Sequence, residues 1–359
     1  MGINKSFWKG KKTLITGHTG FKGSWLSLWL KQLGSDLIGI SNGFPSEPNL
    51  FNKLDLGSGM VSLKEDITDY KKMIGIFDTH KPEIVFHLAA QPIVRYSYKH
   101  PVETYMTNVM GTLHILEAIR LCKSVRSVVI VTTDKCYEND NRSIGYSEED
   151  PMGGYDPYSS SKGSAELLIS SYRRSYFNLD KFSDHKTSLS SVRAGNVIGG
   201  GDWAEDRLIP DTVRSIVQNS QIEIRNPSSV RPWQHVLEPL NGYLMLAEKM
   251  YSQGEQFSES WNFGPKDEDS RSVKWVVEKI LQFWGLDGDY LKVEKEATLH
   301  EADYLKLDCS KSISRLGWEP FWTLENSLKK VVEWYKNDIE QASAVSTSIS
   351  QIEEYMDLS

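Results

Sequence analysis

The chain has 359 residues, of which 39% are hydrophobic and 25% charged, and its formal net charge at pH 7 is -7. This length allows roughly two domains, or one large domain with an extension, and the composition is typical of a soluble globular protein. Because general nucleic-acid binders and membrane-surface binders usually carry a basic face, the acidic balance argues against both classes, although a local arginine cluster could still hold an anionic ligand.

The N-terminal residues predict neither a membrane anchor nor an export signal. The longest early apolar run, residues 25–30, is too short to span a bilayer, and polar and charged residues precede it. The opening letters MGINKS fit the pattern of N-myristoylation sites, but that motif is short and common. The favoured interpretation is a polar segment that leads into the first strand.

Short apolar runs alternate with helical patterns through the first half of the chain. Strands are predicted at residues 13–15, 37–40, 60–63, 84–88, 128–131 and 189–193. Several runs, such as VVIV, are continuously apolar, as expected of strands covered by helices on both faces. The first helix shows a one-sided stripe of Phe21, Trp25, Leu28 and Trp29, and a longer helix is predicted over about 101–122. The alternation predicts an α/β fold with a Rossmann-type, doubly wound parallel sheet.

A glycine-rich turn follows the first predicted strand, with Gly17, Gly20 and Gly23 in the letters TLITGHTGFKG. Such a turn allows a close approach of the backbone to a pyrophosphate and directs a helix N-terminus at its charge. The spacing differs from the common G-x-G-x-x-G fingerprint, but its place in the first α/β unit favours a dinucleotide site over a plain turn. The second strand ends on Ser41 and Asn42, where an acid would indicate NAD and an arginine NADP, so this motif does not decide between them.

The fifth predicted strand, VVIV, runs directly into Thr132, Thr133, Asp134 and Lys135. A carboxylic acid and an amine side by side at the end of a buried strand suggest a paired need for an acid and a base. The cysteines Cys122, Cys136 and Cys309 follow neither a disulfide nor a metal-ligand spacing. We therefore expect no metal and a reducing cytoplasm as the location of the protein.

Tyr158 and Lys162 lie four residues apart, and so on one helix face. An ammonium group beside the phenol should lower its pKa from the reference value of about 10, which would let the tyrosine take a proton from a sugar hydroxyl. An isolated Y-x-x-x-K pair is more often an exposed pair. The preceding glycine turn and the hydroxyl of Thr133 favour the catalytic interpretation.

The regular alternation ends near residue 195, where glycine, proline and tryptophan become frequent and helices are predicted at about 239–251, 273–284 and 324–339. We predict a Rossmann domain at 1–194 that carries the catalytic residues. A smaller, irregular α/β substrate domain is predicted at 195–340, with some chain crossing back to the first domain. The polar, serine-rich residues 341–359 are predicted to be a loosely held tail.

Taken together, the letters TGHTGFKG, HLAAQ at 87–91, Asn108, TTDK and Y-x-x-x-K resemble the extended short-chain dehydrogenase/reductase superfamily. Within it the chain, from residue 11 to about 339, resembles the nucleotide-sugar 4,6-dehydratases. The letters TTDKCYEN, RAGNVIGGGDW and RPWQHV resemble the CDP-glucose group of that family, whereas the glycine turn and Y-x-x-x-K specify only the superfamily. The resemblance implies NAD that is regenerated in each turnover, a nucleotide-sugar substrate and a place in deoxysugar biosynthesis for bacterial surface polysaccharide such as O-antigen.

In this reaction class the sugar is oxidised at carbon 4, the ketone acidifies the proton on carbon 5, water is lost across carbons 5 and 6, and the hydride returns to carbon 6. The resemblance implies that protonated Asp134 assists the departing hydroxyl. Lys135 stands where the dTDP-glucose enzymes have a glutamate. It could be the base, if its pKa is depressed, or a charged stabiliser of the enolate, or a plain ion-pair partner of Asp134; the sequence leaves these alternatives open.

The resemblance also assigns ligand contacts, residue by residue. The expected cofactor-binding residues are Thr16, Gly17, His18, Thr19, Gly20, Phe21, Gly23, Asp66, Ile67, Leu88, Ala89, Ala90, Asn108, Thr132, Tyr158 and Lys162. The expected substrate-binding residues are Gln91, Asn196, Arg207, Arg231, His235, His300 and Glu301. The arginines suit a diphosphate because a guanidinium can donate two hydrogen bonds to a pair of oxygens, and the last two residues would belong to a lid over the nucleotide.

Relatives of this kind commonly pair through the helix of Y-x-x-x-K and the long helix before it, so a homodimer or homotetramer is expected. Two other enzymes remain possible on the sequence alone: a nucleotide-sugar 4-epimerase with the same tyrosine and lysine, and a dehydratase acting on a different nucleotide sugar. A dinucleotide-sensing protein built on an inactive reductase is disfavoured, because Tyr158 and Lys162 are both present. An epimerase has no need of an acid–base pair for eliminating water, so TTDK favours dehydration.

Overall fold

The computed structural model describes residues 2–224, 226–286, 290–293 and 305–358. Its centre is a seven-stranded, all-parallel sheet. In chain order its strands are β1 (Lys12–Thr16), β2 (Asp36–Ser41), β3 (Val61–Lys64), β4 (Ile84–His87), β5 (Ser127–Val131), β6 (Ser188–Ala194) and β10 (Ser260–Phe263). The order across the sheet is β10-β6-β5-β4-β1-β2-β3, so the chain reverses its direction of growth between β1 and β4. The predicted doubly wound α/β fold and its six strands are confirmed.

The helices of the first half are α1 (Lys5–Trp8), α2 (Phe21–Gln32), α3 (Leu50–Lys53), α4 (Tyr70–His80), α5 (Val94–Lys99), α6 (Pro101–Tyr105), α7 (Thr112–Leu121), α8 (Pro157–Ser175) and α9 (Phe182–His185). A π-helical turn, Met106–Gly111, joins α6 to α7 and gives the predicted long helix. The helix that carries Tyr158 and Lys162 begins where Asp156 accepts a hydrogen bond from the Ser159 backbone at 3.0 Å, with proline at its first position. These start signals are the usual ones for a helix N-terminus.

Two cores cover the sheet, one on each face. Along β5, Val128 and Ile130 pack into one core, while Val129 and Val131 pack into the other. Successive residues of a strand point to opposite faces of the sheet. Both sets of side chains are buried because each face is covered by a core. Within the described residues, the helices are all too short or too polar to cross a membrane.

The second half of the chain adds short strands and further helices, one of which packs against β5 and β6 of the main sheet. Its strands are β7 (Asn196–Ile198), β8 (Ile222–Ile224), β9 (Val230–His235), β11 (Ser270–Ser272) and β12 (Leu291–Val293), and its helices are α10 (Leu208–Val217), α11 (Leu237–Phe257), α12 (Val273–Trp284) and α13 (Leu324–Ile339). The helices predicted at 239–251, 273–284 and 324–339 are confirmed. The strand β10 returns to the main sheet beside β6, while the domain boundary at 194/195 stays a prediction.

The C-terminal segment differs from the expected loose tail, because residues Ala344–Leu358 form helix α14. Its inner face lies in the core, where the Tyr355 hydroxyl donates to Glu238 Oε2 at 2.5 Å and Trp334 Nε1 donates to Ser348 Oγ at 2.8 Å. The polar composition did not predict this helix, because the polar groups on its inner face form hydrogen bonds within the protein. The apolar groups pack against the side chain of Trp29. The prediction of a loosely held tail is wrong for these residues.

Candidate active site

The candidate site lies where β1, β4 and β5 end, at the point where the strand order reverses. Ligands of open α/β sheets bind outside the carboxyl ends of the strands at such a point. At Gly17, whose φ is +73°, an added Cβ would come within 2.7 Å of Ala89 N, and at Gly23 it would come within 2.1 Å of Gly17 O. Side chains are therefore excluded at both positions, and the turn presents bare backbone at the start of α2.

The geometry of the glycine-rich turn fits the binding of a pyrophosphate. Gly20 precedes α2 without a side-chain cap, and the nearest atom to a Cβ placed there is Gly17 O at 3.3 Å. The uncapped N–H groups of the first helical turn are thus available to an anion, which the helix dipole also favours. The predicted cofactor residues Thr16 to Phe21 and Gly23 lie in this turn.

Two of the predicted cofactor residues, His18 and Asp66, have contrasting environments. His18 is buried, its Nε2 lies 2.7 Å from Ser62 Oγ, and its ring packs edge-on against Phe51. Burial lowers the pKa of His18, so its ring favours the neutral form. Asp66 lies exposed after β3 and accepts a hydrogen bond from Thr68 N at 2.8 Å. His18 therefore fills the space beside β2, whereas the carboxylate of Asp66 is open to solvent.

Asn108, in the π-helical turn, joins the loop after β4 to α8. Its Oδ1 accepts from Gln91 N at 2.8 Å, and its Nδ2 donates to Ser161 Oγ at 2.8 Å. The side chain of Gln91 donates to Thr104 Oγ1 at 2.8 Å and accepts from Ile93 N at 2.5 Å. Gln91 is thus engaged at both ends within its own region, and its predicted contact with the substrate stays a prediction.

Tyr158 and Lys162 are both buried on α8. Burial raises the pKa of Tyr158 to about 12, and its hydrogen bond with the Thr133 side chain opposes that rise. The Lys162 ammonium donates to Val131 O at 3.2 Å, and burial lowers the pKa of Lys162 to about 8. The expected lowering of the tyrosine pKa by the lysine is therefore wrong for the protein without ligands, since desolvation of the phenolate outweighs the nearby charges.

Asp134 is 3% exposed and starts the short turn that follows β5. Its Oδ1 accepts from Thr133 Oγ1 at 3.0 Å, whereas its Oδ2 has no hydrogen-bond partner among the described residues. Burial raises the pKa of Asp134, and the charge of Lys135 is the first influence that opposes the rise. A buried carboxyl group with a raised pKa and one free oxygen is suited to donate a proton.

The two arginines predicted to bind substrate lie close enough to act on the catalytic groups. Arg207 forms an ion pair with Asp202 at 2.9 Å, and its charge lowers the pKa of Tyr158. Arg231 is buried on β9, and its charge lowers the pKa of Asp134. The second half of the chain thus places two permanent cations beside the ends of β5 and α8.

The remaining predicted substrate residues have different positions. His235 is completely buried, with its ring against Trp25 and Trp322 at centroid distances of 6.0 Å and 4.8 Å, so the protein's own aromatic side chains enclose it. Asn196 is half-buried at the start of β7. The predicted lid residues His300 and Glu301 lie outside the described residues.

Lys22, in the first turn of α2, is a site residue that the sequence reasoning missed. Burial lowers the pKa of Lys22 to about 8, with Arg207 and Lys162 acting in the same direction and Asp134 opposing them. Its side chain therefore shares the site with the catalytic groups. The available signal in the sequence was a lysine directly before Gly23, the third glycine of the turn. Among the described residues, His, Cys, Asp and Glu form no cluster of three or more that could hold a metal ion.

Comparison with known proteins places the chain among enzymes of nucleotide sugars. The profile of the GDP-mannose 4,6 dehydratase family matches residues 14–331. The CDP-glucose 4,6-dehydratase of Salmonella typhimurium is 52% identical over 99% of this chain and 98% of its own length. A UDP-glucose 4-epimerase of Thermotoga maritima, solved with UDP-glucose, superposes with a TM-score of 0.78 at 23% identity, covering 91% of this chain and 99% of that one. A dTDP-glucose 4,6-dehydratase of Bacillus anthracis, solved with NAD, superposes with a TM-score of 0.76 at 21% identity, covering 94% and 100%.

Proposed function

The chain belongs to the GDP-mannose 4,6 dehydratase family, and from this premise we propose that it converts CDP-glucose into CDP-4-dehydro-6-deoxy-glucose by NAD-dependent dehydration. The observation that carries the proposal is the buried Asp134 beside Lys135, next to Tyr158 and Lys162, at the carboxyl end of β5. The choice of CDP-glucose as substrate comes from the 52% identity to the enzyme from Salmonella.

NAD would be held by the glycine turn at its pyrophosphate, with Asp66 toward the adenosine and Lys162 toward the nicotinamide half. The chemistry that NAD supplies when bound is acceptance of a hydride from carbon 4 and its return at carbon 6, with no net change of the cofactor. The chain's own contribution is a turn without side chains at Gly17 and Gly23 and a buried lysine that can donate hydrogen bonds to ribose hydroxyls.

Oxidation at carbon 4 requires removal of the proton from the hydroxyl there. Tyr158 takes this proton, and the hydroxyl of Thr133 holds the substrate oxygen beside it. Burial raises the pKa of Tyr158 to about 12, and the hydrogen bond with Thr133 and the charge of Arg207 oppose this rise. A bound nicotinamide ring would add a further positive charge beside the phenol and so favour its role as a base.

Elimination of water requires a base at carbon 5 and an acid at the oxygen on carbon 6. Asp134 fits the acid, because burial raises its pKa and its Oδ2 has no hydrogen-bond partner among the described residues. Arg207 and Arg231 cannot act as bases, since a guanidinium does not lose its proton in proteins. We assign Lys135, which adjoins the acid, as the base.

Purified protein incubated with CDP-glucose, with and without added NAD, should form a sugar nucleotide lighter by one water, with no accumulation of reduced cofactor. Mass spectrometry of the sugar nucleotide provides the readout. An unchanged mass with a new stereoisomer would instead identify a 4-epimerase. Loss of water from UDP-glucose or dTDP-glucose, with CDP-glucose untouched, would retain the chemistry and overturn the substrate.

We further propose that two copies of the chain pair through α6 and α8, which lie side by side. Val102 on α6 is 76% exposed, Leu167 on α8 is 63% exposed, and Met106 in the adjoining π-helical turn is 43% exposed. The double variant Val102→Glu with Leu167→Glu should therefore have half the molar mass of the wild type in light scattering, both for a dimer and for a tetramer that a second interface holds together. As a control, Ile144→Glu changes a side chain that is 75% exposed on a loop, and it should leave the assembly intact; a wild-type protein with the mass of one chain would contradict the proposal.

We place the reaction in the cytoplasm, where activated sugars and NAD are made and where thiols stay reduced. The structure is compatible with this location, since Cys122, Cys136 and Cys309 are free thiols and no disulfide is required for the fold. The product, a 4-keto-6-deoxy sugar nucleotide, is activated for further changes at neighbouring carbons, which suits an early step of deoxysugar biosynthesis for a bacterial surface polysaccharide.

A further inference from the structure

Glu166 and Arg193 form an ion pair beneath the candidate site, and both side chains are almost completely buried. Arg193 donates to Glu166 through Nε and Nη2, each at 2.9 Å. The remaining capacity of the carboxylate is filled by the hydroxyls of Thr132, at 2.5 Å, and Ser191, at 2.7 Å. Although burial alone would favour protonation, the ion pair and these hydrogen bonds hold the pKa of Glu166 at about 2.

Stability alone is a weak explanation for this pair, because buried ion pairs often contribute little over apolar residues of similar size. Its partners, however, are neighbours of the catalytic groups. Thr132 directly precedes the Thr133–Asp134–Lys135 segment, and Glu166 follows Lys162 by one turn of α8. A single carboxylate thus joins the strand end that carries the acid to the helix that carries the tyrosine and lysine.

On the basis of the proposed function, we propose that Glu166 is a positioning residue: its carboxylate fixes α8 against the catalytic segment after β5 and provides the negative charge that accompanies Lys162. The hydrogen bond from Thr132 carries the first role, and the ionic charge of Glu166 carries the second. The two roles can therefore be separated by comparing a variant of Thr132, which loses the hydrogen bond, with a variant of Glu166, which also loses the charge.

The charge role follows from the groups that face Lys162. These are Glu166 on its own helix, Cys136 in the turn after β5, His87 on β4 and Lys22 on α2. Burial keeps Cys136 a neutral thiol by raising its pKa and lowers the pKa of His87 to about 3, so neither carries charge near neutral pH. Lys22 cannot carry a negative charge. Glu166 therefore supplies the negative charge in this group, and it raises the pKa of Lys162 against the effect of burial.

Two variants test the proposal, with initial rates of dehydration and NAD affinity by calorimetry measured from pH 6 to 10. Glu166→Gln should lower kcat roughly 10–100-fold with little change in KM, because a small misplacement of catalytic groups costs about this much. It should also move the alkaline loss of both NAD affinity and kcat to lower pH by about one unit or more, as expected on removing an opposite charge. Thr132→Val keeps the charge, so it should lower kcat without moving the alkaline limb.

Glu238→Gln is the control for simple loss of stability. Glu238 is also completely buried, and it accepts hydrogen bonds from Tyr355 and from the backbone of Trp322. This variant should lower Tm while leaving the alkaline limb and kcat of the folded protein unchanged. The proposal is overturned if Glu166→Gln keeps the wild-type kcat and alkaline limb, or if Glu238→Gln shifts that limb equally.

Failure of the proposed function gives a different result. In that case the wild type leaves CDP-glucose unchanged, while the effect of Glu166 on the pH dependence of NAD affinity is still measurable without turnover. If Glu166→Gln does not fold, Thr132→Val decides alone: a wild-type kcat in that variant would refute the positioning role.

Discussion

Tyr158→Phe should lower the rate of CDP-glucose dehydration by about 1,000-fold or more. The variant removes the group that we propose takes the proton from the sugar hydroxyl, and a well-placed general base contributes roughly 10²–10⁴-fold. Oxidation at carbon 4 precedes every later step, so the elimination and the return of the hydride are lost with it. The measurement is the rate of water loss by mass spectrometry at saturating CDP-glucose and NAD.

The matched control for this variant is Tyr155→Phe, which changes the tyrosine three residues earlier. Tyr155 is 78% exposed, whereas Tyr158 is 8% exposed. Tyr155→Phe should keep the wild-type rate, and both variants should keep the wild-type affinity for NAD and a similar Tm. A Tyr158→Phe variant that retains more than a tenth of the activity would show that another group removes the proton.

The sheet and the long helices could be predicted from the sequence because their patterns are local. Runs such as VVIV have to be buried strands, and α12 and α13 begin and end at the predicted residues. The tail could not be predicted in the same way. Its polar residues gave no sign that Tyr355 would reach Glu238, which lies 117 positions away in the sequence.

The parts of the site that lie within one motif were also accessible from the sequence, as with Tyr158 and Lys162. The balance of burial against charge was not, because it depends on groups that only the fold brings together. Asp134 illustrates this: besides the adjacent Lys135, the charges that act on it come from Lys22 and Arg231, which are more than 90 positions away on either side. The pKa of Tyr158 was misjudged for the same reason, since the sequence gives the nearby lysine but not the desolvation.

Asp134→Asn should lower the rate of water loss by roughly 10²–10⁴-fold, the range expected for loss of a general acid. An amide of the same shape keeps the hydrogen bond from Thr133 but cannot deliver a proton to the departing hydroxyl. Oxidation at carbon 4 and loss of the proton on carbon 5 do not depend on this residue. The variant incubated in deuterated water should therefore return CDP-glucose labelled at carbon 5, as detected by mass spectrometry and NMR.

Deuterium exchange at carbon 5 also distinguishes a base from a charged stabiliser of the enolate at Lys135. Lys135→Met should abolish both the exchange at carbon 5 and the loss of water, and Lys135→Arg should do the same if the lysine is the base, because arginine keeps its proton. If the positive charge alone stabilises the enolate, Lys135→Arg should retain activity within about tenfold of the wild type, since the charge is preserved. The assignment of Lys135 as base therefore requires that Lys135→Met and Lys135→Arg both abolish exchange at carbon 5 and loss of water. Asp134→Asn must still incorporate deuterium at carbon 5. These outcomes place the base on Lys135 and the acid on Asp134 independently of any resemblance.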